Sequence, residues 1–199
     1  MRRLISLLLL LLILPASLLS CGDPVTEEEV LPEAERLIRA SVLINEIYLG
    51  EGIPTGAVAF ENYRYADEAF CRENGMETVA ALRERTLAVY TPAVADILFR
   101  KALTTDDNSL GEYRDGASGG LYVLDTRECW YENTAHKYLF DTMRMESATK
   151  TGATVKITVQ ITPEGKEPQE RELSLPLVKT EEGFRCDKLT YVAYDTTQN

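Results

Sequence analysis

A change of hydrophobic period at Gly119-Gly120 constrains the fold of this chain more than any other feature. Before it, apolar residues recur at spacings of three and four, as on one face of a helix. After it they alternate with polar residues, as in half-buried strands. Strand-like segments run over 121–132, 138–148, 153–162, 170–178 and 184–194. In the clearest, Val155, Ile157, Val159 and Ile161 share one face against Lys156, Thr158 and Gln160, and Leu173, Leu175 and Leu177 repeat the rule. Thr162-Pro163-Glu164-Gly165-Lys166 and Thr180-Glu181-Glu182-Gly183 supply hairpin connections. Helices first and neighbouring antiparallel strands afterwards predict an α+β class, N-terminal helices followed by a curved antiparallel β-meander, and not a parallel nucleotide-binding sheet.

The helical part divides into three. Over residues 32–49, Ala34, Leu37, Ile38, Ser41, Ile44, Asn45 and Tyr48 form one stripe, Pro32 suits the first turn, and Gly50 and Gly52 end the segment. Thr26-Glu27-Glu28-Glu29 offers an earlier start with a capping box, but it would put Pro32 inside the helix, so the later start is expected. Residues 76–90 place Val79, Leu82, Thr86, Val89 and Tyr90 together, and Thr91-Pro92 opens a third helix carrying Val94, Ile97, Leu98 and Ala102. Between the first two, Glu51 to Gly75 shows no regular period and is expected to be a long connection carrying Phe60, Tyr63, Tyr65 and Phe70. Those rings suit either a satellite core beneath the loop or an aromatic contact surface.

The first 21 residues speak to location. Arg2 and Arg3 precede an apolar run from Leu4 to Leu19 that is interrupted by Pro15 and Ser17 and closes on Leu18-Leu19-Ser20-Cys21. The run is shorter than the roughly 20 apolar residues a spanning helix needs, which favours a cleaved signal over a permanent span. The segment resembles the signal peptide and lipobox of bacterial lipoproteins, with Leu19 bulkier than the residue usual at its position. That resemblance implies a diacylglycerol on Cys21, cleavage before it, and a protein held on the extracytoplasmic face of the membrane through its lipid. The expected organisation is a signal peptide over 1–20, a lipidated tether over 21–31, and one α+β domain over 32–199 with its helical part at 32–105 and its sheet part at 119–194.

Removing residues 1–20 takes away two arginines and no acids, so the formal charge moves from −11 to −13. So acidic a surface repels nucleic acid and favours basic partners, or simply keeps an exported domain soluble. Cys71, Cys129 and Cys186 remain after lipidation, with no CxxC spacing and a single histidine, His136, so no metal or cofactor is expected. Cys129 and Cys186 fall in strand-like segments that could pair across a sheet; three reduced, buried thiols are the other reading. His136 lies in Asn133-Thr134-Ala135-His136-Lys137, expected to be an exposed turn, and it is the only imidazole available to a nucleophile. Asp106-Asp107-Asn108 lacks the spacing of an EF-hand loop, and Gly116 to Gly120 precedes a strand and not a helix, unlike a phosphate loop. None of these patterns makes an enzyme.

An opening helix with Pro32-Glu33-Ala34-Glu35, a helix pair near 76–103, Gly120-Leu121-Tyr122-Val123 and the closing Gly183-Phe184-Arg185-Cys186 together resemble the cell-wall DL-endopeptidase inhibitor family of Gram-positive bacteria over roughly residues 33–192. The sheet is similar in kind to the cone-like sheets of nuclear-transport-factor and cystatin-like folds. The resemblance implies a non-enzymatic protein that binds a cysteine-peptidase domain acting on peptidoglycan and blocks its cleft. The expected contacts are aromatic and acidic loop residues: Tyr63, Tyr65, Asp106, Asp107, Tyr113 and Asp115. A small-ligand pocket within the curved sheet, for a wall fragment or a lipid, is the alternative.

Overall fold

The computed structural model describes residues 23–103, 111–117, 119–127, 129, 131 and 133–195. Cys21, Asp106 and Asp107 lie outside the described residues.

The chain is α+β. Helix α1 (Glu27–Tyr48) begins at Glu27 and not at Pro32. The Thr26 side chain accepts from the Glu29 amide, and Glu27, Glu28 and Glu29 occupy the positive end of the helix dipole, so the earlier start is well capped. Pro32 therefore sits inside the helix without an amide for the Glu28 carbonyl, a loss of about 3 kcal/mol. The buried stripe offsets it: Val30, Ala34, Leu37, Ile38, Ile44, Ile47 and Tyr48 are each 2% exposed or less.

The meander expected after the helices forms a sheet of β5 (Thr134–Ala148), β6 (Gly152–Pro163), β7 (Gln169–Thr180) and β8 (Gly183–Cys186), antiparallel in that order. Val155 pairs with Leu175 and Ile157 with Leu173, so the predicted apolar rows lie side by side. Helix α1 packs on this sheet against β5, β6 and β8. Along the edge strand β5 the register shifts between Leu139 and Arg144, and Thr142 Oγ1 takes the Thr158 amide at 2.9 Å in place of a ladder bond. Such bulges bend an edge and blunt it against further pairing.

The stretch expected to be an irregular connection instead contains β1 (Thr55–Phe60), β2 (Tyr63–Ala66) and the short helix α2 (Glu68–Glu73). Segment 121–132 does not join the long meander. Among its described residues it yields β4 (Leu121–Leu124), which with β3 (Tyr113–Asp115) completes a second, smaller sheet in the order β1-β2-β4-β3. Alternation at 121–124 correctly signals a strand but says nothing about its partner, because side-chain period fixes a face and not a neighbour. Helices α3 (Val79–Val89) and α4 (Pro92–Ala102) lie between, and Thr91 donates its amide to Cys186 O at 3.0 Å. Buried residues from α1, α3, α4 and both sheets form one continuous core.

Candidate functional site

Beyond β8 the chain carries no regular structure among the described residues; the strand expected over 184–194 stops at Cys186. Residues 187–195 instead cross the long sheet on side-chain anchors. Asp187 accepts from Thr91 Oγ1 at 2.7 Å, so the threonine that precedes α4 caps no helix amide with its side chain. Thr190 is wholly buried and bonded to Ser41 and Asn45 of α1. Tyr138 of β5 donates to the Thr190 carbonyl at 3.1 Å, and Asp195 meets Arg171 of β7 at 3.3 Å.

These anchors bring Glu46, next to Asn45, and Tyr191, next to Thr190, to the same end of the sheet. A groove of about 530 Å³ lies there, lined among others by Glu46, Glu51, Tyr131, Thr134, Glu164 and Lys166. It shares Glu46, Tyr131, Thr134 and Ala135 with a smaller pocket of about 250 Å³ that reaches His136, Tyr138 and Tyr191. Tyr131 and Tyr191 stack with centroids 4.8 Å apart and planes 13° from parallel, and His136 stands edge-on to Tyr131 at 5.1 Å.

The Glu46 carboxylate is held between two donors, the Glu51 amide at 2.8 Å on Oε1 and the Tyr131 hydroxyl at 3.4 Å on Oε2. Burial, and then the charge of Glu46, push the Tyr131 phenol far above its ordinary value, so it stays protonated and serves as a donor. Burial likewise raises Tyr191. The end of α1 that carries Glu46 is fixed from outside the helix, whose last turn has no basic residue of its own. Arg127 donates to Ile47 O at 3.0 Å and Gly50 O at 2.8 Å, Lys101 to Tyr48 O at 2.9 Å, and Tyr113 to Ile47 O at 2.6 Å. Cations there satisfy the orphan carbonyls of a helix C-terminus.

Of the described residues expected to bind, Tyr65 and Asp115 are exposed, whereas Tyr63 and Tyr113 are buried. Tyr65 is 44% accessible and lines a separate cleft of about 500 Å³ with Glu68, Cys71 and Glu77. Asp115 accepts the Val79 amide at 2.8 Å, at the start of α3. Tyr63 donates to Gly111 O at 2.7 Å and stacks on Phe60, and Tyr113 lies beneath the end of α1.

His136 is not in an exposed turn; it is a part-buried residue of β5 paired with Ile161, and its Nε2 donates to Val192 O at 2.9 Å. The turn signal at Asn133-Thr134 is real, since Asn133 has φ +48°, but β5 begins immediately after it. Cys71, Cys129 and Cys186 are all free, and Cys129 is exposed, against the expectation that all three are buried. Its thiol points to Leu49 O at 3.7 Å, so Cys129 and His136 serve different partners. Among the described residues no three His, Cys, Asp or Glu side chains converge as metal ligands would.

Glu46, Glu51, Tyr131 and Tyr191 carry no signal in the sequence that marks them as a site. Glu46 sits between two buried helix positions and Tyr191 behind a buried threonine, so their meeting depends on a contact 145 residues apart in the chain. No protein-family model matches the sequence, and comparison with curated proteins gives no match.

Proposed function

We propose that this chain is a lipid-anchored protein of the extracytoplasmic membrane face that acts by binding, and that its partner is a peptidoglycan hydrolase which it restrains. The leader ending at Cys21 supports the location, and the charge of −13 after cleavage supports a basic partner. The observation that carries the binding reading is the groove itself. It is open and acidic with Tyr131 in its wall, and Tyr191, stacked on Tyr131, lines the adjoining pocket. The Tyr131 phenol donates to the Glu46 carboxylate and His136 Nε2 to Val192 O, bonds that hold the shape of the groove and its adjoining pocket. A ligand enclosed between α1 and the long sheet is less favoured, because Val155, Ile157, Val159 and Ile161 on that face are fully buried in the core.

The test is hydrolysis of purified peptidoglycan by a DL-endopeptidase with and without saturating processed chain, alongside cell fractionation of Cys21→Ser. Inhibition, with loss of Cys21→Ser from the membrane, is the expected outcome. Unchanged hydrolysis, together with an envelope pull-down that recovers no hydrolase, overturns it.

A further inference from the structure

We infer that the groove at the end of α1 is a receptor for a basic side chain, lysine or arginine, presented on an extended segment of a protein partner. The inference rests on the binding reading above and names what the partner must offer.

Charge is the first argument. Glu46, Glu51 and Glu164 line the groove against one cation, Lys166, whose ammonium stands 5.1 Å from the Tyr194 ring centroid. The C-terminal carbonyls of α1 add nothing to this charge, because Lys101 and Arg127 already hold them. A cation entering this trough is drawn by three carboxylates against the repulsion of Lys166, and the low-dielectric flanks keep that field from being fully screened.

Preorganisation is the second. Each Glu46 oxygen receives one donor, from the Glu51 amide or the Tyr131 hydroxyl, and a carboxylate oxygen offers two lone-pair sites. The carboxylate is therefore fixed in place with acceptor capacity remaining. An incoming ammonium or guanidinium meets an acceptor that need not reorganise.

Shape and surface are the third. The open groove admits a chain lying along it, and the smaller adjoining pocket, floored by Tyr131, Tyr191 and His136, suits a side chain directed inward. Tyrosine rings pack the aliphatic stem of lysine or arginine and attract its charged head. A peptidoglycan stem peptide also carries an amine, but its free carboxylates would face three glutamates, so a protein segment is the better match.

The experiment is a titration of the processed full-length chain with acetyl-Gly-Gly-Lys-Gly-Gly-amide, its arginine and norleucine counterparts, and a diaminopimelate stem tripeptide, following the ring resonances of Tyr131 and Tyr191. The lysine or arginine peptide should shift both rings. Norleucine should bind at least tenfold more weakly, Glu46→Gln should lower affinity at least tenfold, and added salt should weaken binding. Glu51→Gln and Glu164→Gln alter exposed residues and serve as second variants, each expected to lower affinity severalfold. Equal binding of norleucine, preference for the stem tripeptide, or indifference to all three substitutions overturns the inference. If the basic peptide binds but no hydrolase is restrained, only the identity of the partner falls. If hydrolase is restrained equally by wild type and all three variants, the groove falls and the regulatory reading stands.

Discussion

Asn45 Nδ2 donates to Thr190 Oγ1 at 2.8 Å, joining α1 to the C-terminal segment between two residues that are both buried. The hydroxyl protons around this bond can be assigned one by one, with Tyr90 Oη also 3.0 Å from Thr190 Oγ1. Ser41 gives its hydroxyl proton to Ile38 O at 2.7 Å, which leaves Thr190 to donate to Ser41 Oγ at 2.6 Å, while Tyr90 donates to Asn45 Oδ1 at 2.8 Å. This buried network fixes α1 against the C-terminal segment, and so sets Glu46 and Tyr191, each next to one of its members, at one pocket.

Thr190→Val keeps the shape of the side chain and removes the hydroxyl, leaving the Asn45 amide and the Ser41 oxygen without their buried partner. The expected loss is about 1–3 kcal/mol, seen as a lower urea midpoint at unchanged slope. The same substitution should weaken the Tyr131–Tyr191 stack, because Tyr191 loses its anchor one residue away. A stability equal to wild type would show that the network does not hold the segment.

Alkaline pH should unfold the protein early. Burial, then Asp67 and Glu77, raise the Cys71 thiol to about 11; burial raises Cys186 to about 12, opposed by Arg36, and raises Tyr138 to about 12. Burial drives Tyr48, Tyr90 and Tyr113 upward as well. These groups hold their protons more tightly folded than unfolded, so their contribution is complete below the unfolded values and is lost as pH rises through the folded ones. Stability should fall continuously from about pH 9 to about pH 12. Urea midpoints across that range, paired with tyrosinate absorbance, check the prediction; a flat profile would contradict it.

The long helix, the helix pair and strands β6 and β7 are legible in the sequence because each carries its own period over ten or more residues. What is not legible depends on pairing or on offset costs. Pro32 argues for a later helix start by a local rule that the buried stripe outweighs. The β1–β2 hairpin leaves no periodic signal because Thr55–Phe60 is exposed for most of its length and shows no alternation, and its register shifts twice against β2. Tyr113 and Asp115 carry the chemistry of contact residues, yet one caps the end of α1 and the other the start of α3, roles visible only once their distant partners are in place. The groove is hidden for the same reason: its walls come from α1, the β5–β6–β7 end and the C-terminal segment.

Glu112 lies between two cations, Lys101 Nζ at 3.1 Å and Arg127 Nε at 3.7 Å, with all three side chains 14% exposed or less. Removing the carboxylate leaves two positive charges in a poorly hydrated site beside the end of α1. Glu112→Ala should therefore cost about 3–5 kcal/mol, more than truncating any exposed pair such as Arg36–Glu33. Because Lys101 and Arg127 also hold α1 carbonyls, the variant should loosen Glu46 and lower affinity for the basic peptide. Equilibrium unfolding of the two truncations side by side is the measurement, and equal losses would refute the ranking.

Two glycines should respond to alanine for different physical reasons. At Gly152, where the β5–β6 turn feeds into β6, an added Cβ would stand 2.1 Å from the Leu177 carbonyl oxygen. That oxygen belongs to the neighbouring strand, so relief requires β6 and β7 to separate where Gly152 pairs with Val178. Gly165, in the β6–β7 turn, has φ +70° and open space around its missing side chain, so alanine there meets only the left-handed backbone penalty of about 1–2 kcal/mol. Gly165→Asn should recover part of that loss, since asparagine tolerates this conformation, whereas no side chain recovers Gly152. Thermal unfolding of the three variants should rank Gly165→Asn above Gly165→Ala and both above Gly152→Ala; a Gly152→Ala protein as stable as wild type would mean that the two strands do not approach this closely.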